Sequence, residues 1–146
     1  MLIEVKVKVA VNANDRLRKK TWTVVLNKEF FSEAEYAVTA MLTANTEVAE
    51  FSIVSLRQST VTEVASQFEG ASAFIATLKD IFTAEDGTEK PIKYKVLLWA
   101  DDLQQAMTNI HVLASQGYNM SIEGVKEVDY IYMDEEDTNG DNRSNS

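Results

Sequence analysis

Residues 29–58 read EFFSEAEYAVTAMLTANTEVAEFSIVSLRQ, and residues 98–127 read LWADDLQQAMTNIHVLASQGYNMSIEGVKE. Laid over one another at an offset of 69 residues without a gap, the two stretches match in character. Ser32 falls on Asp101, Ala34 on Leu103, Ala37 on Ala106, Val38 on Met107, Met41 on Ile110, Ser52 on Ser121, Ile53 on Ile122 and Arg57 on Lys126. Such a pattern constrains the fold to two copies of one small unit, each too small to bury its helix face well by itself.

The hydrophobic period supplies the elements of that unit. Ile3, Val5, Val7, Val9 and Val11 alternate with Glu4, Lys6 and Lys8, the period-2 signature of a half-buried strand. Asn12-Ala13-Asn14-Asp15 is turn chemistry, because Asn and Asp tolerate left-handed backbone. A second strand over 20–27 completes a hairpin, with Arg16, Arg18, Lys19 and Lys20 beside its turn. Ser32 and Glu35 have the spacing of a capping box, in which each side chain satisfies a free amide at a helix start. Ala34, Ala37, Val38, Met41 and Leu42 then follow a helical stripe, and a strand follows at 49–58.

The second copy runs in the same order. A strand at 73–83, the turn Glu85-Asp86-Gly87-Thr88 and a strand at 91–99 beginning with Pro91 form a hairpin. Asp101 is expected to cap a helix striped by Leu103, Ala106, Met107, Ile110 and Ala114. Gln116-Gly117 ends it, and a last strand covers 119–132. Ile3–Val7 fit Phe74–Leu78 at an offset of 71, so small length changes separate the copies. The expected fold is α+β: a two-layer domain over 1–133, made of duplicated ββαβ units with antiparallel sheet and two helices on one face. The copies span about 1–58 and 73–133. Residues 59–72 form the connection, with room for a short helix around Val64–Phe68. A homodimer that exchanges elements satisfies the same pattern.

At the strand-to-helix junctions, FFSEAEYAVTAM and YKVLLWADDLQQAM share an S/A-x-A/L-x-x-A register. In this the chain resembles an uncharacterised family of small proteins from Bacteroidetes and their phages, a domain of unknown function, over most of residues 1–130. The resemblance implies a phage or mobile-element protein working in a bacterial cytoplasm. It supplies no catalytic residues.

Cysteine is absent, which excludes disulfides and thiolate metal sites. MLIEVKVKVAV carries charges inside its apolar run and reads as a strand, not as a signal peptide. No apolar run approaches the ~20 residues that span a bilayer, so no membrane association is expected. The net charge is −9, and residues 129–146 hold six acids against one base. Residues 134–146 read as a disordered acidic tail, of the kind that competes with DNA for a basic face or recruits a host or phage protein.

Neither an enzyme nor a cofactor or metal site is expected. His111, the one histidine, has no second ligand beside it in sequence and reads as a partly buried helix residue. Asp101-Asp102 reads as helix capping rather than a carboxylate pair. Asp137, Asn139, Gly140 and Asp141 echo a calcium loop that lacks its final acid.

Lys6, Lys8, Lys79, Lys93 and Lys95 fall on strands opposite the apolar faces, and Arg16, Arg18, Lys19 and Lys20 flank the first turn. Glu33, Glu35, Glu47, Glu50, Asp101 and Asp102 gather at the helices. An open sheet face would then be basic, with Trp22, Tyr94 or Trp99 offering stacking surfaces, as binding of single-stranded DNA or RNA requires. The plain alternative is that strand lysines guard sheet edges and keep the protein soluble. The leading expectation is a non-catalytic binding protein of a phage or mobile element, with single-stranded nucleic acid on the basic sheet face as its candidate ligand. Its rivals are a protein adaptor or inhibitor of a host factor, and a small self-associating assembly component.

Overall fold

A computed structural model describes residues 1–116 and 120–134. The chain is mixed α+β, with two helices and two four-stranded sheets. It divides into two compact units, one made of Met1–Ser59 joined by the segment that starts at Tyr130, the other of Thr60–Asp129. Among the described residues no helix is long and apolar enough to cross a membrane.

In the first unit β1 (Leu2–Ala13) and β2 (Arg16–Asn27) form an antiparallel hairpin that pairs residue for residue from Leu2↔Asn27 to Ala13↔Arg16. The two residues left at the tip, Asn14 and Asp15, both have positive φ (52° and 63°). That is the turn whose twist matches paired strands, and Asn and Asp adopt it at low cost. Helix α1 (Phe31–Ala44) follows, then β3 (Val48–Gln58), which returns antiparallel to β1. Ile3, Val5, Val7, Val9 and Val11 of β1, with Val24 and Leu26 of β2, pack against Ala34, Ala37, Val38 and Leu42 of α1. Moving each large aliphatic side chain out of water contributes about 1.5–3 kcal/mol, and the two small alanines let the helix approach the sheet closely.

The second unit repeats that order with β5 (Ser72–Thr83), β6 (Glu89–Ala100), α2 (Leu103–Ser115) and β7 (Ser121–Val128). Phe74, Ala76, Leu78, Val96, Leu98 and Ala100 of the sheet pack against Ala106 and Ile110 of α2. At the β5–β6 turn Gly87 takes φ 84°, and Thr88 holds the Asp86 carboxyl below its usual pKa, first through its hydroxyl and then through its N–H at 2.9 Å.

Both third strands carry a β-bulge, an extra residue that one partner residue must accommodate. In β3 the shift lies opposite Lys6/Val7, and Val54 is the extra residue. In β7 it lies opposite Thr77/Leu78, and Glu123 is the extra residue. Lys6 and Thr77 are 71 positions apart, and Val54 and Glu123 are 69 apart, the same offsets that align their strands in sequence.

Two short strands run parallel to the hairpins. β4 (Glu63–Ala65) pairs with β6, and β8 (Tyr130–Met133) pairs with β2. The sheet orders are therefore β3-β1-β2-β8 and β4-β6-β5-β7. The expected short helix at Val64–Phe68 is instead strand β4 followed by a turn, because Thr62 bonds to the backbone of Lys95 through its N–H and hydroxyl and seats the segment on β6.

The helix starts differ from expectation by one or two residues. Phe30, not Ser32, is the N-cap of α1. Phe has no acceptor, so one half of the box forms, the Phe30 N–H donating to Glu33 Oε1 at 3.2 Å. Asp102, not Asp101, caps α2 by accepting from Gln105 N–H at 2.7 Å. Leu103, expected in the apolar stripe, is 57% exposed, because the buried residues recur at Ala106, Ile110 and Ala114 and turn Leu103 away. Gly117, the tail beyond Asp134 and the calcium-loop echo lie outside the described residues.

Gly70 lies against the backbone of Ala100. A Cβ there would overlap the backbone N, Cα and carbonyl carbon of Ala100, while the Ala71 N–H donates to Asp101 Oδ1 at 3.1 Å. Gly70→Ala is expected to cost about 1–3 kcal/mol, as overpacking does. Gly124→Ala, where a Cβ meets nothing within 4 Å, should stay within about 0.5 kcal/mol. Urea midpoints of the two variants check the contrast.

Candidate nucleic-acid interface

A strand with one apolar face must turn its alternate residues the other way. In the first unit the non-core face therefore reads in rows across the sheet. Ser55, Lys6, Thr23 and Tyr130 form one row. Ser52, Lys8 and Thr21 form the next, and Glu50, Ala10 and Lys19 a third. Lys6, Lys8 and Lys19 are exposed. Lys8, Lys19, Lys20, Thr21, Glu50 and Ser52 are among the residues that line a recess of about 470 Å³.

The basic residues of the first hairpin do not all share this face. Arg16, Arg18 and Lys20 pair with Ala13, Val11 and Val9, so they lie on the helix side of β2, where they are exposed. Lys79, Lys93 and Lys95 of the second unit do lie on its non-core face, since Leu78, Tyr94 and Val96 take the core side. There, however, Glu123 intervenes. Its carboxylate meets Lys93 Nζ at 3.3 Å and Lys79 Nζ at 3.9 Å. Such exposed pairs add little stability, but they place a negative charge between two of the three lysines.

Val54 occupies the corresponding bulge in the first unit and brings no charge. Among the described residues no ion pair joins Lys6, Lys8 or Lys19 to a carboxylate, Glu50 included. Two sheet faces of similar layout thus differ in electrostatics through the residue at one bulge.

The expected aromatics are placed otherwise. Trp22 and Tyr94 are half-buried against the two cores, not on the basic faces. Trp99 lies on the non-core side of β6, half-buried. The aromatic beside the first unit's lysines is Tyr130. Its neighbours Ile131 and Met133 pack into the core, which sends Tyr130 and Tyr132 to the opposite face. In sequence the alternation in Tyr130-Ile131-Tyr132-Met133 is legible, but nothing local shows that it docks on β2.

Glu4 ends the basic face. It is 3% exposed and accepts from Arg57 Nε at 3.1 Å, from Arg57 Nη2 at 3.0 Å and from Ser59 Oγ at 2.9 Å. A buried carboxylate is tolerated when its oxygens are bonded in this way.

Comparison with protein families matches residues 1–134 to the family described as "Domain of unknown function (DUF4494)". The chain belongs to that family. The match spans both sheets and both helices. Comparison with curated proteins gives no match, and comparison with solved structures gives none.

The other polar candidates have structural places. Asp102 caps α2, and Asp101 accepts from Ala71. His111, expected to be partly buried, is exposed on α2, because Ile110 and Ala114 take the core positions beside it. Among the described residues no three His, Asp or Glu side chains gather so as to hold a metal ion.

Burial raises the pKa of Tyr130, and the Glu4 carboxylate raises it further against the opposing charge of Arg57. A phenol whose folded pKa exceeds its unfolded value holds its proton longer when folded. Its stabilising contribution is complete below the unfolded pKa of about 10 and is lost as pH rises through the folded value. Tyr130→Phe is expected to remove that alkaline loss, read from denaturation midpoints between neutral and alkaline pH. The difference in tyrosinate absorbance between the two proteins should titrate above the ordinary tyrosine range.

Proposed function

We propose that the chain is a non-catalytic binding protein that holds single-stranded nucleic acid on the non-core face of its first sheet. The observation that carries this reading is the contrast at the two bulges. Among the described residues no carboxylate pairs with Lys6, Lys8 or Lys19 beside Val54, whereas Glu123 pairs with Lys79 and Lys93. Phosphates need unpaired cations, because binding is driven by release of the counterions they hold. Thr21, Thr23, Ser52 and Ser55 stand among those lysines and add neutral donors for phosphate oxygens. Tyr130, in the same row as Lys6, supplies the ring on which a base can stack. On this reading Lys79, Lys93 and Lys95 are secondary, and Arg16, Arg18 and Lys20 lie off the face.

We further propose that the two units are copies of one ββαβ ancestor. The support is the shared element order, the bulges at matching positions, and buried helix positions that correspond 72 residues apart, three more than the gapless offset of 69 read from the sequence, which would set Ala34 on the exposed Leu103: Ala34 and Ala106, Val38 and Ile110, Leu42 and Ala114. Duplication followed by divergence at Val54 and Glu123 gives one copy the anion face. The acidic residues from Asp134 onward would compete with nucleic acid for that face, in a phage or mobile-element protein of a bacterial cytoplasm.

Anisotropy with labelled single-stranded oligomers tests the reading. Binding should weaken steeply with salt, with a slope of about −0.7 per phosphate contact. Val54→Glu should lower affinity by about tenfold, and Lys6→Gln with Lys8→Gln should reduce both affinity and slope. Glu123→Gln should leave affinity unchanged or raise it. Binding that ignores Val54→Glu and the lysine changes, or no binding at all, overturns the reading.

A further inference from the structure

Sheet edges are sites where another chain can add a strand, and proteins guard them with bulges, prolines, charges or short strands. The edges of this molecule differ in how they are guarded. β3 carries two register shifts and β7 carries one. β4 and β8 are three and four residues long. β8 covers β2 along Thr23–Leu26, and β4 covers β6 along Val96–Leu98, with Thr62 bonded to Lys95 just before. On β6 the uncovered remainder contains Pro91, which has no N–H to offer.

The remainder of β2, Arg16–Trp22, has no such interruption. It pairs with β1 without a register shift, contains no proline, and along its outer edge carries no strand among the described residues. Arg16 through Thr21 are exposed. Its guard is charge alone. Arg16, Arg18 and Lys20 project on one side, and Lys19 with the exposed Leu17 on the other. Positive charge repels a second β2 laid edge to edge, so self-pairing is disfavoured. The same charge favours a strand of opposite sign.

We infer that the Arg16–Trp22 edge of β2 accepts an extended acidic peptide of a partner protein as an added strand. Main-chain hydrogen bonds to the free edge supply the adhesion, and the side chains set the choice of partner. Because strand residues alternate faces, the matching peptide carries carboxylates at every second position, opposite Arg16, Arg18 and Lys20. A contiguous acidic run would place half of its charges on the other face, where Lys19 is the one cation along this stretch. This site is separate from the row of Lys6 and Lys8 and does not depend on nucleic-acid binding there.

The test uses the full chain and three labelled peptides of equal charge. One alternates Glu with Thr and Val, one has its Glu residues contiguous, and one is the alternating peptide with N-methylated backbone amides. The alternating peptide should bind about tenfold tighter than either control, and it should slow hydrogen exchange at amides within Arg16–Trp22. Arg18→Glu with Lys20→Glu, both exposed and outside the core, should abolish that preference while leaving the circular dichroism unchanged. Equal binding of all three peptides, absence of binding, or protection confined to another strand such as β3 would each overturn the inference.

Discussion

Strand β1 is hydrogen-bonded along both of its edges, to β2 on one side and β3 on the other. Its residues are apolar at every second position from Ile3 to Val11, and those side chains form the sheet's wall of the first core. A slip of one residue would drive Lys6 and Lys8 into that core and turn five aliphatic side chains to the opposite face. Each lost burial would cost about 1.5–3 kcal/mol, far more than any surface charge pair returns. The position of the lysines on the sheet is therefore a by-product of the hydrophobic register. β5 holds the same central place in the second sheet, with Phe74, Ala76 and Leu78 inward and Lys79 outward.

That dependence explains how much could be read in advance. Alternation and helical stripes are local and are set by burial, so both hairpins, both helices and the strand after the first helix are legible in the sequence, whereas the single strand expected over 119–132 is two strands, β7 and β8, of different sheets. The turn at Asn14-Asp15 is legible for a similar reason, since those residues tolerate the positive φ that the hairpin needs. The helix caps are less so. Glu33 and Glu35 both have the spacing for a reciprocal bond, and which one forms it depends on where the chain leaves β2. The exposure of Leu103 follows from the phase of α2 against its sheet, which small residues such as Ala106 and Ala114 mark only faintly.

What the sequence conceals is pairing between distant segments. β8 joins a strand that begins more than a hundred residues earlier, and its four residues have no period long enough to announce a partner. The bulges are equally silent, because Val54 and Glu123 differ in chemistry while sharing a place. The lysines along the strands point in sequence to one open basic face. In three dimensions Glu123 reaches Lys79 and Lys93 of the second unit, and among the described residues no carboxylate forms an ion pair with Lys6, Lys8 or Lys19 of the first. The aromatic ring beside the first face was hidden in the same way, since Tyr130 arrives there through β8.

The path of the chain bears on the order of its assembly. The second unit, Thr60–Asp129, is continuous in sequence, whereas the first is interrupted by it and is completed by β8. During synthesis from the N-terminus the hairpin, α1 and β3 of the first unit emerge early. Their sheet then waits, three-stranded, while some seventy residues of the second unit are made. Closing that long loop carries an entropic cost that grows slowly with its length, and prior folding of the inserted unit lowers it by bringing the loop's ends to set positions. Translation thus imposes a sequence on the molecule, in which the inner unit can mature before the outer one receives its last strand.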